Sequence, residues 1–211
     1  MPAKAAILIA LSALSAASLQ AEDHYNRHNF SFAIGAARPR GDLGSFLNDS
    51  PGISAGYGYR FQRYFQADAG LDVLFGAANV RDFLRTGIGD LLIRDREFLV
   101  PLGGRAIMPL LRGRVLLSGG GGGVYMRYSE LLRQPSQYFR VDCSVCTSRG
   151  GWGYYALLGT SFALDRYQHF RLGALGKFYR GHTNGDPIGA VPGLRTKDHW
   201  INLFGEFGFS F

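Results

Sequence analysis

Apolar and polar residues alternate with a period of two along most of this chain, and the alternation returns after each polar, glycine-containing break. That period sends successive side chains to opposite faces of a strand. Eight strands are predicted, at about 30–37, 51–61, 64–76, 96–109, 114–128, 151–165, 169–180 and 199–211. The last is the clearest: its odd positions include Ile201, Leu203, Phe207, Phe209 and Phe211, its even ones Asn202, Glu206, Gly208 and Ser210. The third sets Phe65, Ala67, Ala69, Leu71, Val73 and Phe75 against Gln66, Asp68, Gly70 and Asp72. Short connections near Gln62-Arg63, Leu111-Arg112-Gly113 and Asp165-Arg166-Tyr167-Gln168 alternate with long ones near 38–50, 77–95, 129–150 and 181–198. Three tight turns at one end and four long loops at the other suit an all-β, eight-stranded, antiparallel up-and-down barrel.

A soluble barrel would point its apolar faces inward. Three features predict the inverted, transmembrane arrangement. The polar faces carry glycines, among them Gly35, Gly56, Gly58, Gly70, Gly103, Gly153, Gly159, Gly173 and Gly208. Solvent makes no steric demand for glycine, whereas the interior of an eight-stranded barrel must alternate large with small. The same faces carry Arg60, Arg105, Arg171 and Lys177 with Asp68, Asp72 and Glu206. Charges of both signs suit an enclosed polar core, since buried charges persist when paired. An ordinary solvated face is the alternative reading of that mixture. Aromatics such as Tyr57, Tyr59, Trp152, Phe170 and Phe178 gather toward strand ends, where membrane interfaces favour them.

The 211 residues are enough for one domain. Met1 to Lys4, an apolar stretch to about Ala17 and Ser18-Leu19-Gln20-Ala21 follow the plan of a cleaved export signal. The expected organisation is therefore a signal peptide over 1–21 and a barrel domain over 22–211. The formal charge of +7 includes the leader's Lys4, and the other basic residues are scattered. No run of them forms a nucleic-acid stripe.

The leader, the eight segments and the terminal Phe207-Gly208-Phe209-Ser210-Phe211 resemble the outer-membrane β-barrel superfamily, which includes OmpA-like and opacity-like surface proteins. The resemblance implies an outer-membrane location and a role for Phe207, Phe209 and Phe211 as the signal read by the barrel-assembly machinery. It implies no cell-wall tether, because no peptidoglycan-binding domain is expected after the barrel.

Candidate chemistry is sparse. Cys143-Ser144-Val145-Cys146 lies in the third long loop, where export favours a local disulfide over a redox or metal motif. The glycine run from Gly119 to Gly123 lacks the Gly-Lys-Ser/Thr ending of a phosphate loop and reads as a close-packing site in a strand. His182-Thr183-Asn184-Gly185-Asp186 faintly resembles the His-x-Ser-Asn motif of outer-membrane lipid A deacylases. Its hydroxyl residue adjoins the histidine, however, and strand neighbours point to opposite faces.

The reading that results is a monomeric, non-enzymatic outer-membrane barrel with a side-chain-filled lumen and no cofactor or metal. Four loops would serve envelope structure or surface interaction. Outer-membrane lipid surrounds it in this reading, and lipopolysaccharide or another polyanion is a plausible partner of Arg81, Arg85, Arg94 and Arg96. A narrow channel for ions or small solutes is the first alternative and a lipid A-modifying enzyme the second.

Overall fold

The structure, a computed structural model, describes residues 25–45, 47–75, 84–86, 89–133, 149–185 and 195–211. Eight long antiparallel strands form the wall: β1 (His28–Gly41), β2 (Ser50–Gln62), β3 (Phe65–Phe75), β5 (Gly89–Leu110), β6 (Val115–Arg133), β7 (Arg149–Ala163), β8 (Phe170–Gly185) and β9 (Arg195–Ser210). The three-residue β4 (Leu84–Thr86) pairs only with the start of β5 and stands outside the ring. Each wall strand bonds its sequence neighbour, β1 bonds β9, and β3 bonds β5 across the short β4, so the sheet closes. Closure removes every free strand edge, a condition for crossing hydrocarbon with strands. No helix among the described residues is long and apolar enough to cross a membrane.

Connections at one end are tight. Residues 63–64 join β2 to β3, a 3-10 turn at Leu111–Gly113 joins β5 toward β6, and residues 164–169 join β7 to β8. Gly113 has φ +82°, a conformation that favours glycine, and it lets the chain reverse there. At the same end Phe211 closes the seam: its N–H donates to the His28 carbonyl, and its own carbonyl accepts from the His28 N–H.

Alternation holds in every wall strand, and its sense is inverted relative to a soluble barrel. Outward Phe32, Ile34, Leu102, Leu158 and Leu203 are 66%, 71%, 67%, 74% and 65% exposed, while inward Asp72, Glu97 and Asn202 are fully buried. Apolar residues outside and carboxylates inside are stable only when the outside medium is hydrocarbon. Rings flank this apolar wall. Toward the tight turns, Phe30, Tyr57, Phe170, Phe207, Phe209 and Phe211 pack in neighbouring pairs at centroid separations of 5.1 to 6.2 Å. Toward the loops, Tyr125 packs on Trp152 at 5.1 Å.

The ladders run further than the hydrophobic pattern predicts. β5 begins at Gly89 and β6 ends at Arg133, whereas alternation predicts 96 and 128; β8 and β9 likewise extend to Gly185 and back to Arg195. Pairs such as Thr183↔Thr196 and Asn184↔Arg195 continue the hydrogen bonding after the outward face has turned polar. Backbone pairing needs no lipid, so the strands rise beyond the apolar belt. The β3–β5 ladder also lapses between Ala69↔Leu102 and Asp72↔Leu99, where Pro101 has no N–H to donate.

Candidate functional site

The interior of the barrel is the site that could transmit a solute or carry chemistry. Near the tight turns, Asp68 accepts from Arg105 Nε at 2.6 Å and from Gln66 Nε2 at 2.6 Å. Arg171 donates to Asn29 Oδ1 at 2.8 Å, and Ser210 Oγ donates to the same oxygen at 2.8 Å, which ties β8, β9 and β1 together. Arg60 is held by the Arg63 carbonyl, with its Nε at 2.9 Å, and lies over the Tyr25 ring. Glu206 faces the same region and lines a small cavity with Gln66, Arg105 and Arg171.

A second layer sits midway along the wall. Lys177 Nζ lies 2.6 Å from Asp72 Oδ1 and donates to Ser54 Oγ at 3.0 Å, while Tyr179 Oη donates to Asp72 Oδ2 at 2.6 Å. β2, β3 and β8 are therefore joined across the lumen. Lys177 also stands over the Phe204 ring at 5.6 Å.

Nearer the loops the lumen mixes polar side chains with an apolar cluster of Leu74, Leu99, Val124, Met126, Tyr128 and Trp200, all buried. Trp200 Nε1 on β9 donates to Tyr128 Oη on β6 at 3.2 Å, bridging strands three places apart in the ring. The Arg149 guanidinium covers the other face of this layer, 4.7 Å from the Tyr128 ring centre. Thr183 donates to Asp198 Oδ2 at 2.5 Å and shares a hydrogen bond with Thr196. Glu97 is fully buried beside them on β5.

Two lumen cavities, of about 30 and 20 Å³, are bounded by the polar residues of the first two layers. Each has room for one or two waters, since a water needs roughly 10–15 Å³ by this measure. A larger concavity, about 570 Å³, is a groove on the lipid-facing wall between Phe32, Ile34, Ile53, Leu71, Leu172 and Phe207.

All seven charged residues proposed from the sequence point inward, but their partners are more varied than mutual neutralisation predicts. Asp68–Arg105 and Asp72–Lys177 are ion pairs; Arg60 and Arg171 are held by neutral oxygens, and Glu206 has no ion pair within 4 Å among the described residues. Glu97, Arg149 and Asp198 extend the set. Strand parity could have found Glu97, which is eight residues from the inward Arg105. Arg149 and Asp198 lie outside the predicted strand limits, so no parity was assigned to them. Phe207, Phe209 and Phe211 line up on the outer face of β9 and its end. Cys143, Cys146 and Arg81 lie outside the described residues, as do residues 1–21.

The histidine motif is split by the wall: His182 is exposed on the outer face, and Thr183 is buried in the lumen on Asp198. A base on one side cannot activate a hydroxyl on the other. Among the described residues no three His, Cys, Asp or Glu side chains converge as metal ligands.

The closed ring of antiparallel strands has counterparts among solved structures. Neisserial surface protein A superposes with a TM-score of 0.57 at 12% identity, over 87% of this chain and 97% of that one. The outer membrane protein OprG from Pseudomonas aeruginosa gives 0.50 at 13% identity, over 89% and 97%.

This is the outer-membrane β-barrel fold.

At such identities the likeness is one of fold, and no protein-family model and no curated protein sequence matches the chain. An outer-membrane barrel of this size fills its interior with side chains, as the layers above do. The layered polar and apolar plug is thus the local form that a general property takes in this sequence.

Proposed function

We propose that the chain is a non-enzymatic outer-membrane protein whose closed barrel is a rigid mount for its extracellular loops, serving envelope structure or surface interaction. The observation that carries this reading is the plug. The Lys177–Asp72 pair and the Trp200–Tyr128 bridge cross the lumen at successive levels, and the two cavities beside the polar layers are water-sized. A solute path would require both bridges to part. The reading against catalysis rests on the separation of His182 from Thr183. In this reading the protein stands as a monomer, oriented with its tight turns in the periplasm. Phe211, already paired to His28, serves with Phe207 and Phe209 in recruitment by the assembly machinery, and Cys143 and Cys146 form a loop disulfide.

Replacing the loop segment 134–148 with a short Gly-Ser linker tests the mount. The barrel should insert and keep its compact migration in unheated gels, because the described β5–β6 and β6–β7 ladders, up to Arg133 and from Arg149, are left intact. Fatty-acid release from lipid A vesicles should be at background in both proteins. Loss of folding on loop replacement, or lipid hydrolysis by the wild type, would overturn the reading.

A further inference from the structure

On the outer face of β1, β8 and β9, just beyond the apolar wall, basic residues face one another across the ladders. Arg180 on β8 is opposite His199 on β9, which is opposite Arg40 on β1. The next outward row places His182 opposite Lys197. Directly opposed side chains on one sheet face have Cβ atoms about 4.5–5.5 Å apart and diagonal ones about 7–8 Å. Arg40, Arg180 and Lys197 are therefore within one side-chain length of a common point, and all three are exposed.

Like charges so placed repel, and sequences ordinarily set carboxylates among them. Here only two outward carboxylates among the described residues, Asp42 and Asp49, stand near four cations, Arg38, Arg40, Arg180 and Lys197. Asp49 is bound by Arg38 at 2.6 Å, Asp42 accepts from the Lys197 backbone N–H at 3.3 Å, and Asp198 on the same strand points into the lumen. No ion pair or side-chain hydrogen bond links Arg40, Arg180 or Lys197 to any described residue. The cations outnumber these carboxylates and burial does not explain them, so the excess positive charge faces an external counter-charge.

The depth of the cluster identifies the source. Two residues below Arg180 and His199, the same face carries Phe178 and Ile201, and two below those it carries Gly176 and Leu203, the start of the lipid-facing wall. Two residues of strand are about 7 Å, so the cations stand at headgroup height over the acyl chains. Next in each row, on β7, are Tyr154 opposite Arg180 and Trp152 opposite His182, exposed rings of the kind that mark a membrane interface.

We infer that Arg40, Arg180 and Lys197, with His199 between them, form a clamp for the phosphorylated headgroup of an outer-leaflet glycolipid. The lipid's acyl chains would lie on the wall below. Guanidinium groups suit this ligand because they bind phosphate oxygens through paired, charge-assisted hydrogen bonds. The inference rests on the outer-membrane reading above, but not on the lumen being closed. A failure here leaves the vesicle permeability of the barrel, and so that reading, to its own test.

The test uses the purified full barrel in a neutral maltoside detergent, titrated with bisphosphorylated lipid A and followed by native mass spectrometry. Probes for comparison are the same lipid stripped of phosphate, and inorganic pyrophosphate. The wild type should retain lipid A in preference to the stripped lipid. The variant R40Q/R180Q/K197Q should bind about ten- to a hundredfold more weakly, as expected when a few charge-assisted contacts are lost. A triple variant at the opposite end, R112Q/R114Q/R166Q, should bind as the wild type does. The single variant R180Q should show a smaller loss in the same direction, which keeps the test decisive if the triple variant folds poorly. Equal binding by wild type and R40Q/R180Q/K197Q, equal retention of the stripped lipid, or a matching loss in the opposite-end variant would each overturn the clamp. Displacement of the lipid by equimolar pyrophosphate would show a soluble-phosphate site and overturn the lipid as occupant.

Discussion

Lys177 reaches across the lumen from β8 to place its ammonium 2.6 Å from the Asp72 carboxylate on β3, with both side chains shut off from solvent. Neither strand borders the other, so this pair ties together wall segments that no backbone ladder joins. Lys177→Met should leave a buried carboxylate with only Tyr179 as donor, at a cost of about 3–5 kcal/mol. Removing both charges, as in D72L/K177M, should recover most of that loss, since a buried pair replaced by apolar groups is often neutral. Urea unfolding in lipid vesicles, followed by tryptophan fluorescence, reads both. Glu206→Gln should cost much less, because Glu206 is half-buried beside a water-sized cavity without an ion pair. Equal losses for K177M and E206Q would show that the lumen charges act as a diffuse set.

Gly122 and Gly123 are neighbours in the glycine run of β6 but face opposite sides of the wall. A Cβ on Gly122 would lie 2.2 Å from the Leu102 carbonyl oxygen, whereas one on Gly123 would meet nothing closer than 4.0 Å. Gly122→Ala must push β5 and β6 apart, and overpacking of this kind costs roughly 1–3 kcal/mol. Gly123→Ala should be neutral or slightly stabilising in the same unfolding assay. A cost for G123A matching that of G122A would remove close strand approach as the reason for the run.

The facing of β2, β3, β8 and β9 was legible because lipid outside and packed side chains inside impose opposite demands on alternate residues. Phe207, Phe209 and Phe211 against Glu206, Gly208 and Ser210 is that demand written in sequence. The upper strand segments were not legible. Around Thr183 and Thr196 both faces are polar, and period-two alternation vanishes although the ladder continues. The partners of the lumen charges were equally hidden. Lys177 and Asp72 are 105 residues apart, and closure of the ring decides their meeting. Arg171 finds Asn29, a neutral residue ahead of the first predicted strand, which no rule of charge matching selects.

The turn between β7 and β8 carries a pH dependence. Asp165 Oδ1 accepts from the Phe170 N–H at 2.9 Å and Oδ2 accepts from the Tyr167 N–H at 3.2 Å, with His169 Nδ1 3.3 Å away. The Phe170 bond, with the other donors, holds this carboxyl below the usual aspartate range. A depressed folded value means that the ionised form stabilises the turn. That contribution is complete above the ordinary range and is lost as pH falls through it to the depressed value. The urea midpoint of wild type should therefore exceed that of D165A at neutral pH, with the gap narrowing only in acid. A gap that widened in acid would reverse the assignment.

Whether the lumen is a plug or a pore is read most directly by swelling of vesicles that carry the purified wild-type protein. With Asp72–Lys177 and Trp200–Tyr128 crossing the interior and Asp68–Arg105 lining it, dextran-loaded vesicles diluted into isotonic arabinose or sucrose should swell no faster than protein-free ones. Swelling that is fast for arabinose, slower for sucrose and proportional to protein content would contradict a closed barrel and establish an aqueous channel.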